Sequence, residues 1–219
     1  RNKQFIKKDN IRIYDKFVED EIESCYQHFK KYFYTSVFLQ TELLRKYCIG
    51  KSEKISSDND LVLEFGVFKG ETINYFSKLI NKKTIYGFDS FEGLKDDWYG
   101  HREIATMHNL DGVLPNVESN CELIKGWVQD TLPLFLKENK KKLISFVHMD
   151  LDTYESTKFV LKSLKPFLKK NSIILFDNMY NFSGWSVGEY KALQASFDES
   201  EYKFIGFAIS GKQVAIKIN

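Results

Sequence analysis

Four carboxylates carry the first chemical signal in this 219-residue chain. Glu64, Asp89, Asp150 and Asp177 each stand at the end of a short apolar run, beginning at Leu61, Thr84, Leu143 and Ser172. Such runs read as buried strands. In a doubly wound sheet, ligands gather outside the carboxyl ends of the strands, so acids far apart in sequence would meet in one crevice. The plainer explanation is that acids at strand ends cap the helices that follow. It suits Asp152, because Asp152-Thr-Tyr-Glu155 just before a helical pattern reads as a capping box. It suits Asp150 and Asp177 less well, and these two are expected to do chemistry.

The stretch Leu61-Val-Leu-Glu-Phe-Gly-Val-Phe-Lys-Gly-Glu-Thr72 indicates the kind of ligand. An apolar strand runs into Gly66 and Gly70, and a helical pattern at Ile73, Phe76 and Ile80 follows. Glycine permits a tight turn and close approach of a ligand, and a helix start offers unpaired N–H groups. A dinucleotide fingerprint needs G-x-G-x-x-G, whose middle glycine admits a pyrophosphate; here that position is Phe68. NAD and FAD are therefore disfavoured. A nucleoside without phosphates tolerates Phe68, and S-adenosylmethionine fits that description. Two alternatives stay open. Tyr154 and Lys158 have the Tyr-x-x-x-Lys spacing of some NAD-linked or nucleotide-sugar oxidoreductases, and a non-catalytic cofactor-binding module would share the same turn.

The elements that must position these residues form an α/β pattern. Residues 11–50 carry apolar and aromatic positions at helical spacing and predict two helices. They make up an N-terminal helical cap over 1–57, followed by a ligand-binding domain over 58–219. From residue 61 onward, strand-like and helix-like runs alternate, which predicts a doubly wound, mostly parallel, seven-stranded sheet with helices on both faces. Residues 202–209 and 213–218 flank Ser210-Gly211-Lys212 and predict a hairpin forming an antiparallel edge. The segment 94–116 is long for a connection and has the composition of a lid. Met179-Tyr-Asn-Phe-Ser-Gly-Trp185 mixes aromatic and polar residues in a way that suits a sugar or phenolic ring.

Composition excludes other classes. The balance of 32 basic and 30 acidic side chains gives a formal charge of +2, too even for a nucleic-acid surface. Cys25, Cys48 and Cys121 are few and scattered, which argues against a disulfide framework or a thiolate metal site. No apolar run approaches the roughly 18–20 residues of a membrane span, so no membrane partner is expected and the cytoplasm is the expected location. The aromatic N-terminal helices make a homo-oligomer a fair expectation.

Five motifs, in order and spacing, carry a family resemblance: Glu64-Phe-Gly-Val-Phe-Lys-Gly70, Gly87-Phe-Asp-Ser-Phe-Glu-Gly-Leu94, Lys125-Gly-Trp-Val-Gln-Asp-Thr-Leu-Pro133, His148-Met-Asp-Leu-Asp-Thr-Tyr-Glu-Ser-Thr157 and Phe176-Asp-Asn178. Over residues 60–218 the chain resembles class I S-adenosylmethionine-dependent methyltransferases of the macrocin O-methyltransferase (TylF-like) group, with their Rossmann-like fold. The resemblance implies that Glu64, Gly66 and Gly70 lie at the methionine end of the cofactor. It implies that Asp89 accepts from the ribose, that Ser90 and Phe91 border the adenosine, and that Trp127 and Gln129 lie near the adenine, with Asp150 also close to the cofactor. Asp150, Asp177 and Asn178 match a Mg²⁺ site of the group, an all-oxygen set suited to that ion; Asn178 replaces an acid common there. The implied reaction is O-methylation of a small hydroxylated acceptor, a sugar or glycosylated metabolite. His101 is the first choice as proton acceptor and Asp152 the next. His148, on the same strand face as Asp150, reads as a core histidine.

Overall fold

The computed structural model describes residues 12–80, 82–100 and 106–219. Its helices and strands follow in the order α1 (Ile13–Phe33), β1 (Val37–Leu39), α2 (Thr41–Glu53), β2 (Leu61–Phe65), α3 (Glu71–Leu79), β3 (Ile85–Asp89), β4 (Cys121–Lys125), α4 (Val128–Glu138), β5 (Ile144–Met149), α5 (Tyr154–Leu164), β6 (Leu168–Phe176), α6 (Glu189–Gln194), β7 (Tyr202–Ala208) and β8 (Val214–Ile218). The strands make one sheet in the order β1-β7-β8-β6-β5-β2-β3-β4. All neighbours pair in parallel except β8, which is antiparallel to β6 and β7.

The central strands are apolar because helices cover both sides of them, and every residue of β2 and β5 is buried. Alternation along the pleat then sorts the side chains. Leu61, Leu63 and Phe65 join one cluster with Phe29, Leu132, Phe135, Val160 and Leu164 from α1, α4 and α5. Val62 joins another with Leu44, Cys48, Ile73 and Phe76 from α2 and α3. Glu64 shares the parity of Val62, and His148 that of Phe146, so both side chains belong to the α2–α3 face. Neither can point along the strand toward the carboxyl edge.

Three expectations need correction. The sheet has eight strands, not seven. The extra strand is Val37–Leu39, which the helical spacing had assigned to the second N-terminal helix; it pairs with Gly206–Ala208 of β7. The hairpin exists, but its second strand is not an edge. β8 lies between β6 and β7, so β1 occupies the border instead. Finally, Asp152-Thr-Tyr-Glu155 forms no capping box: α5 begins after Thr153, which makes no side-chain cap bond, and Asp152 has φ +60°. Among the described residues, no helix is long and apolar enough to cross a membrane.

Candidate active site

Strand register builds the site. Phe65 lies opposite Phe88 on one side and Met149 on the other, and Met149 lies opposite Phe176. The next residue of each strand is therefore in one row across the carboxyl edge: Gly66, Asp89, Asp150 and Asp177. Backbone bonds hold the row, from Gly66 N to Phe88 O (2.9 Å), Asp150 N to Phe65 O (2.8 Å) and Asp177 N to Met149 O (2.9 Å). The chain turns from β2 toward β3 and β4 on one side, and from β5 toward β6 on the other. This is the topological switch point where such sheets bind ligands. A cleft of about 330 Å³ opens over it.

Gly66 is obligatory at that point. Its φ is +85°, and a Cβ there would stand 1.8 Å from the backbone oxygen of Asp150. A side chain would force β2 and β5 apart at the cleft floor. Gly66→Ala is expected to lose more than about 2 kcal/mol of stability, from left-handed backbone and overpacking together, read as a lower urea midpoint with the slope unchanged. An unchanged midpoint would contradict the close approach.

Asp89 organises the turn. Its Oδ2 accepts from the N–H groups of Val67 (2.7 Å) and Phe68 (2.8 Å), and its Oδ1 from Phe91 (2.7 Å). The bond to Phe68 stabilises a non-glycine residue at φ +46°, and Phe68 lines the cleft. Carboxylate oxygens have roughly four lone-pair positions, so one side of Asp89 remains open to the cleft that it lines. Across from it, Trp127 precedes α4 and also lines the cleft. Lys95, which also lines the cleft, holds its Nζ 5.7 Å from the Trp127 ring centroid.

The acids crowd at the other end. Asp150, Asp152, Asp177 and Asn178 all line the cleft. Asn178 Nδ2 donates to Asp152 Oδ1 (2.7 Å) and Asp150 Oδ1 (3.3 Å). Burial, and then the neighbouring charges of Asp177 and Asp152, push the Asp150 carboxyl well above the usual carboxylate range. Asp177 goes the other way: burial would raise it, but the bond from His148 and that from Gln213 hold it below the ordinary value. Glu189, at the start of α6, is fully buried and its Oε2 accepts the Asn178 backbone N–H at 2.9 Å; burial and then Asp152 push its carboxyl well above the usual range. Asp150, Asp152, Asp177 and Glu189 gather four carboxyl groups here, a donor set that suits a bound cation even with Arg45 beside Asp177. Donor atoms of His148, Asp150 and Asp177 lie within 4.8 Å of one another; with the His148 nitrogens facing Asp177 and Glu64, the two carboxylates and an amide turned to present its oxygen fit Mg²⁺.

Not every expected residue is at the cleft. Gly66, Asp89, Ser90, Trp127, Asp150, Asp152, Asp177 and Asn178 line it; Glu64, Gly70, Phe91 and Gln129 do not. Glu64, expected at the methionine end, is fully buried, with Oε2 3.5 Å from His148 Nδ1. Gly70 makes the left-handed entry to α3. Phe91 is fully buried, and its carbonyl accepts from Leu110 and Gly112. His101 lies outside the described residues. In the loop after β6, Met179, Tyr180, Phe182 and Trp185 are buried in the core rather than spread for an acceptor. Reading the sequence missed Lys95, Lys212 and Glu189; a glutamate at a helix start with apolar neighbours was the faint signal for the last.

Residues 63–179 match the model of a family described as a methyltransferase domain. The chain belongs to this family. It is a class I S-adenosylmethionine-dependent methyltransferase of the TylF-like group. No curated protein matches this methyltransferase. Among solved structures it is similar to the calicheamicin methyltransferase CalS11, at 25% identity and TM-score 0.64, over 81% of this chain and 78% of that one. An apo structure of CalS11, described as a TDP-rhamnose 3'-O-methyltransferase of calicheamicin biosynthesis, gives 26%, 0.59, 81% and 78%. The O-methyltransferase NovP shares the fold, at 20% identity and TM-score 0.57, over 81% and 79%. In the methyltransferase, Asp89 and Trp127 line the same cleft as the acid cluster of Asp150, Asp152 and Asp177.

Proposed function

We propose that this methyltransferase transfers the methyl group to a hydroxyl of a sugar or glycosylated metabolite, with Mg²⁺ at Asp150, Asp177 and Asn178. The observation that carries the reading is the position of Asp152. Its side chain is buried and lines both the cofactor cleft and an adjoining cleft of about 380 Å³. The second cleft shares Trp98 and Thr153 with the first and adds Tyr99, Tyr154 and Lys191. Aromatic faces among carboxylates and a lysine suit a polyhydroxylated ring. The sugar acceptor named for CalS11 agrees with that composition.

Asp89 and Trp127 would hold the adenosine, and the carbonyl edge at Gly66 admits the methionine end. The acceptor hydroxyl would approach between Asp150 and Asp152. A bound Mg²⁺ supplies Lewis-acid lowering of the hydroxyl pKa. Asp152 accepts the departing proton while the oxygen forms its bond to the methyl carbon and the carbon–sulfur bond breaks, leaving neutral S-adenosylhomocysteine. Orientation carries much of the rate, because the sulfonium is already an activated leaving group. The Tyr154–Lys158 pair does not support an oxidoreductase: Lys158 Nζ lies 4.4 Å over the Tyr154 ring on α5, and the pair stays outside the cofactor cleft.

The test is methyl transfer from labelled S-adenosylmethionine to a panel of neutral glycosides, nucleotide sugars and catechols, with Mg²⁺ or with EDTA. Turnover on a glycosidic acceptor is expected, falling at least about tenfold with chelator. Turnover indifferent to EDTA would remove the metal from the reading, and activity confined to catechols would remove the sugar.

A further inference from the structure

The cleft explains the open side of Asp177 but not what stands behind it. Three groups from three elements close on its Oδ1. Arg45 Nη2 of α2 is 3.5 Å away, His148 Nε2 of β5 is 3.4 Å away, and the amide of Gln213, just before β8, donates to the same oxygen. His148 is held in turn by Glu64, 3.5 Å from its other nitrogen, with both side chains fully buried. Gln213 is 2% exposed. The arrangement lies on the α2–α3 face of the sheet, and Arg45, Glu64, His148 and Gln213 do not line the cleft.

We infer that Arg45, with the Glu64–His148 pair, forms a bracket that positions Asp177 from behind, so that its other oxygen is aimed at the cation site, and that the N-terminal helix α2 is thereby part of the active site. The inference rests on the Mg²⁺-assisted reading above. A carboxylate with one oxygen hydrogen-bonded by Gln213 and His148 and ion-paired with Arg45 is restricted in rotation, and outer partners of this kind commonly set metal affinity and activity by 10–100-fold. Arg45 also brings a full positive charge to the cluster. Without it, Asp177 faces Asp150 and Glu64 with only polar and imidazole partners. Arg45 and His148 are positioning residues: they touch the acid, not the reacting atoms.

The guanidinium arrives on α2, whose Leu44, Cys48 and Ile49 are buried against the sheet. That packing fixes the helix, and the helix fixes the charge. Tyr75 of α3 steadies the helix from the side, since its hydroxyl donates to the Glu42 carbonyl at 3.0 Å and its ring lies 5.9 Å from the Arg45 guanidinium carbon.

The experiment measures Mn²⁺ affinity by electron paramagnetic resonance, S-adenosylhomocysteine affinity by calorimetry, and kcat and KM, for wild type, Arg45→Met and Arg45→Lys. Methionine keeps much of the apolar stem while removing the charge. Expected for Arg45→Met is a 10–100-fold loss of Mn²⁺ affinity and a parallel fall in kcat, with homocysteine-product affinity within twofold, and partial recovery in Arg45→Lys. Mn²⁺ affinity equal to wild type would overturn the bracket. So would loss of both ligands together with a lower melting temperature, which would make Arg45 merely structural. A wild type that binds the nucleoside but no Mn²⁺ would instead remove the metal reading, and the bracket with it.

Discussion

Asp89→Ala should abolish calorimetrically measurable binding of S-adenosylhomocysteine. The carboxylate accepts three backbone N–H groups of the cofactor turn and of the strand exit, and hydrogen bonds to a charged group contribute about 1.5–3 kcal/mol each. Truncation releases Val67 and Phe68 together, so the turn that shapes the cleft loses its anchor, and on the proposed reading the ribose loses its acceptor. A micromolar ligand binds with roughly −8 kcal/mol, and losing 3 kcal/mol or more weakens it by over about 100-fold. Asp89→Asn is the informative companion: one oxygen can still accept from Val67 and Phe68, so the turn is kept while the charge is lost, and binding should fall by about tenfold. Circular dichroism matching wild type would show that the fold survives. Retention of wild-type affinity in Asp89→Ala would remove the nucleoside from this end of the cleft.

Asp150→Asn should reduce kcat by roughly 10²–10³ while changing the affinity for S-adenosylhomocysteine only a few-fold. The change keeps shape and removes charge from the centre of the acid row, where the proposed cation would contribute several kcal/mol to the transition state. Stability should move the opposite way. Asp150 is surrounded by Asp152, Asp177, Glu189 and Glu64, and burial and these charges hold its carboxyl well above the usual range. Neutralising it relieves repulsion in the metal-free protein, so the variant should melt higher without added cation, by about 2–4 °C for each kcal/mol relieved. Sites that bind charge are often kept at a cost to stability. A variant that turned over at the wild-type rate would place the chemistry elsewhere.

Much of this was legible in the residue order. The acids at strand ends fell in one row because parallel register is set by the apolar runs that precede them, and those runs are visible. The alternation of short apolar runs with helical spacing marked the strands and helices of residues 61 onward. What was hidden depended on pairing across the chain. Val37–Leu39 is only three residues long between two helices, too short to show a period of its own, and its strand character comes from β7. Nothing in the residue order singled out Arg45; only the docking of α2 over β5 and β6 brings it to Asp177. Glu64 was misplaced for a simpler reason. It lies inside β2, not beyond it, and its parity with Val62 already assigned it to the α2–α3 face. The aromatic loop after β6 was ambiguous by composition, since a ring that recognises sugar and a ring that fills a core are the same ring.

The interior position of β8 has a consequence for synthesis. β6 is translated well before its neighbour, and until Val214–Ile218 emerge, the gap between β6 and β7 cannot close. Val37 must likewise wait for Gly206, roughly 170 residues further along. Contacts of such long range slow folding, and they leave strand borders open for as long as the ribosome takes to reach them, the interval in which edge-to-edge association is a hazard. The glycine turn and the row from Gly66 to Asp177 belong to strands that can pair earlier, so a nascent chain could assemble the cofactor half of its cleft before its sheet is complete.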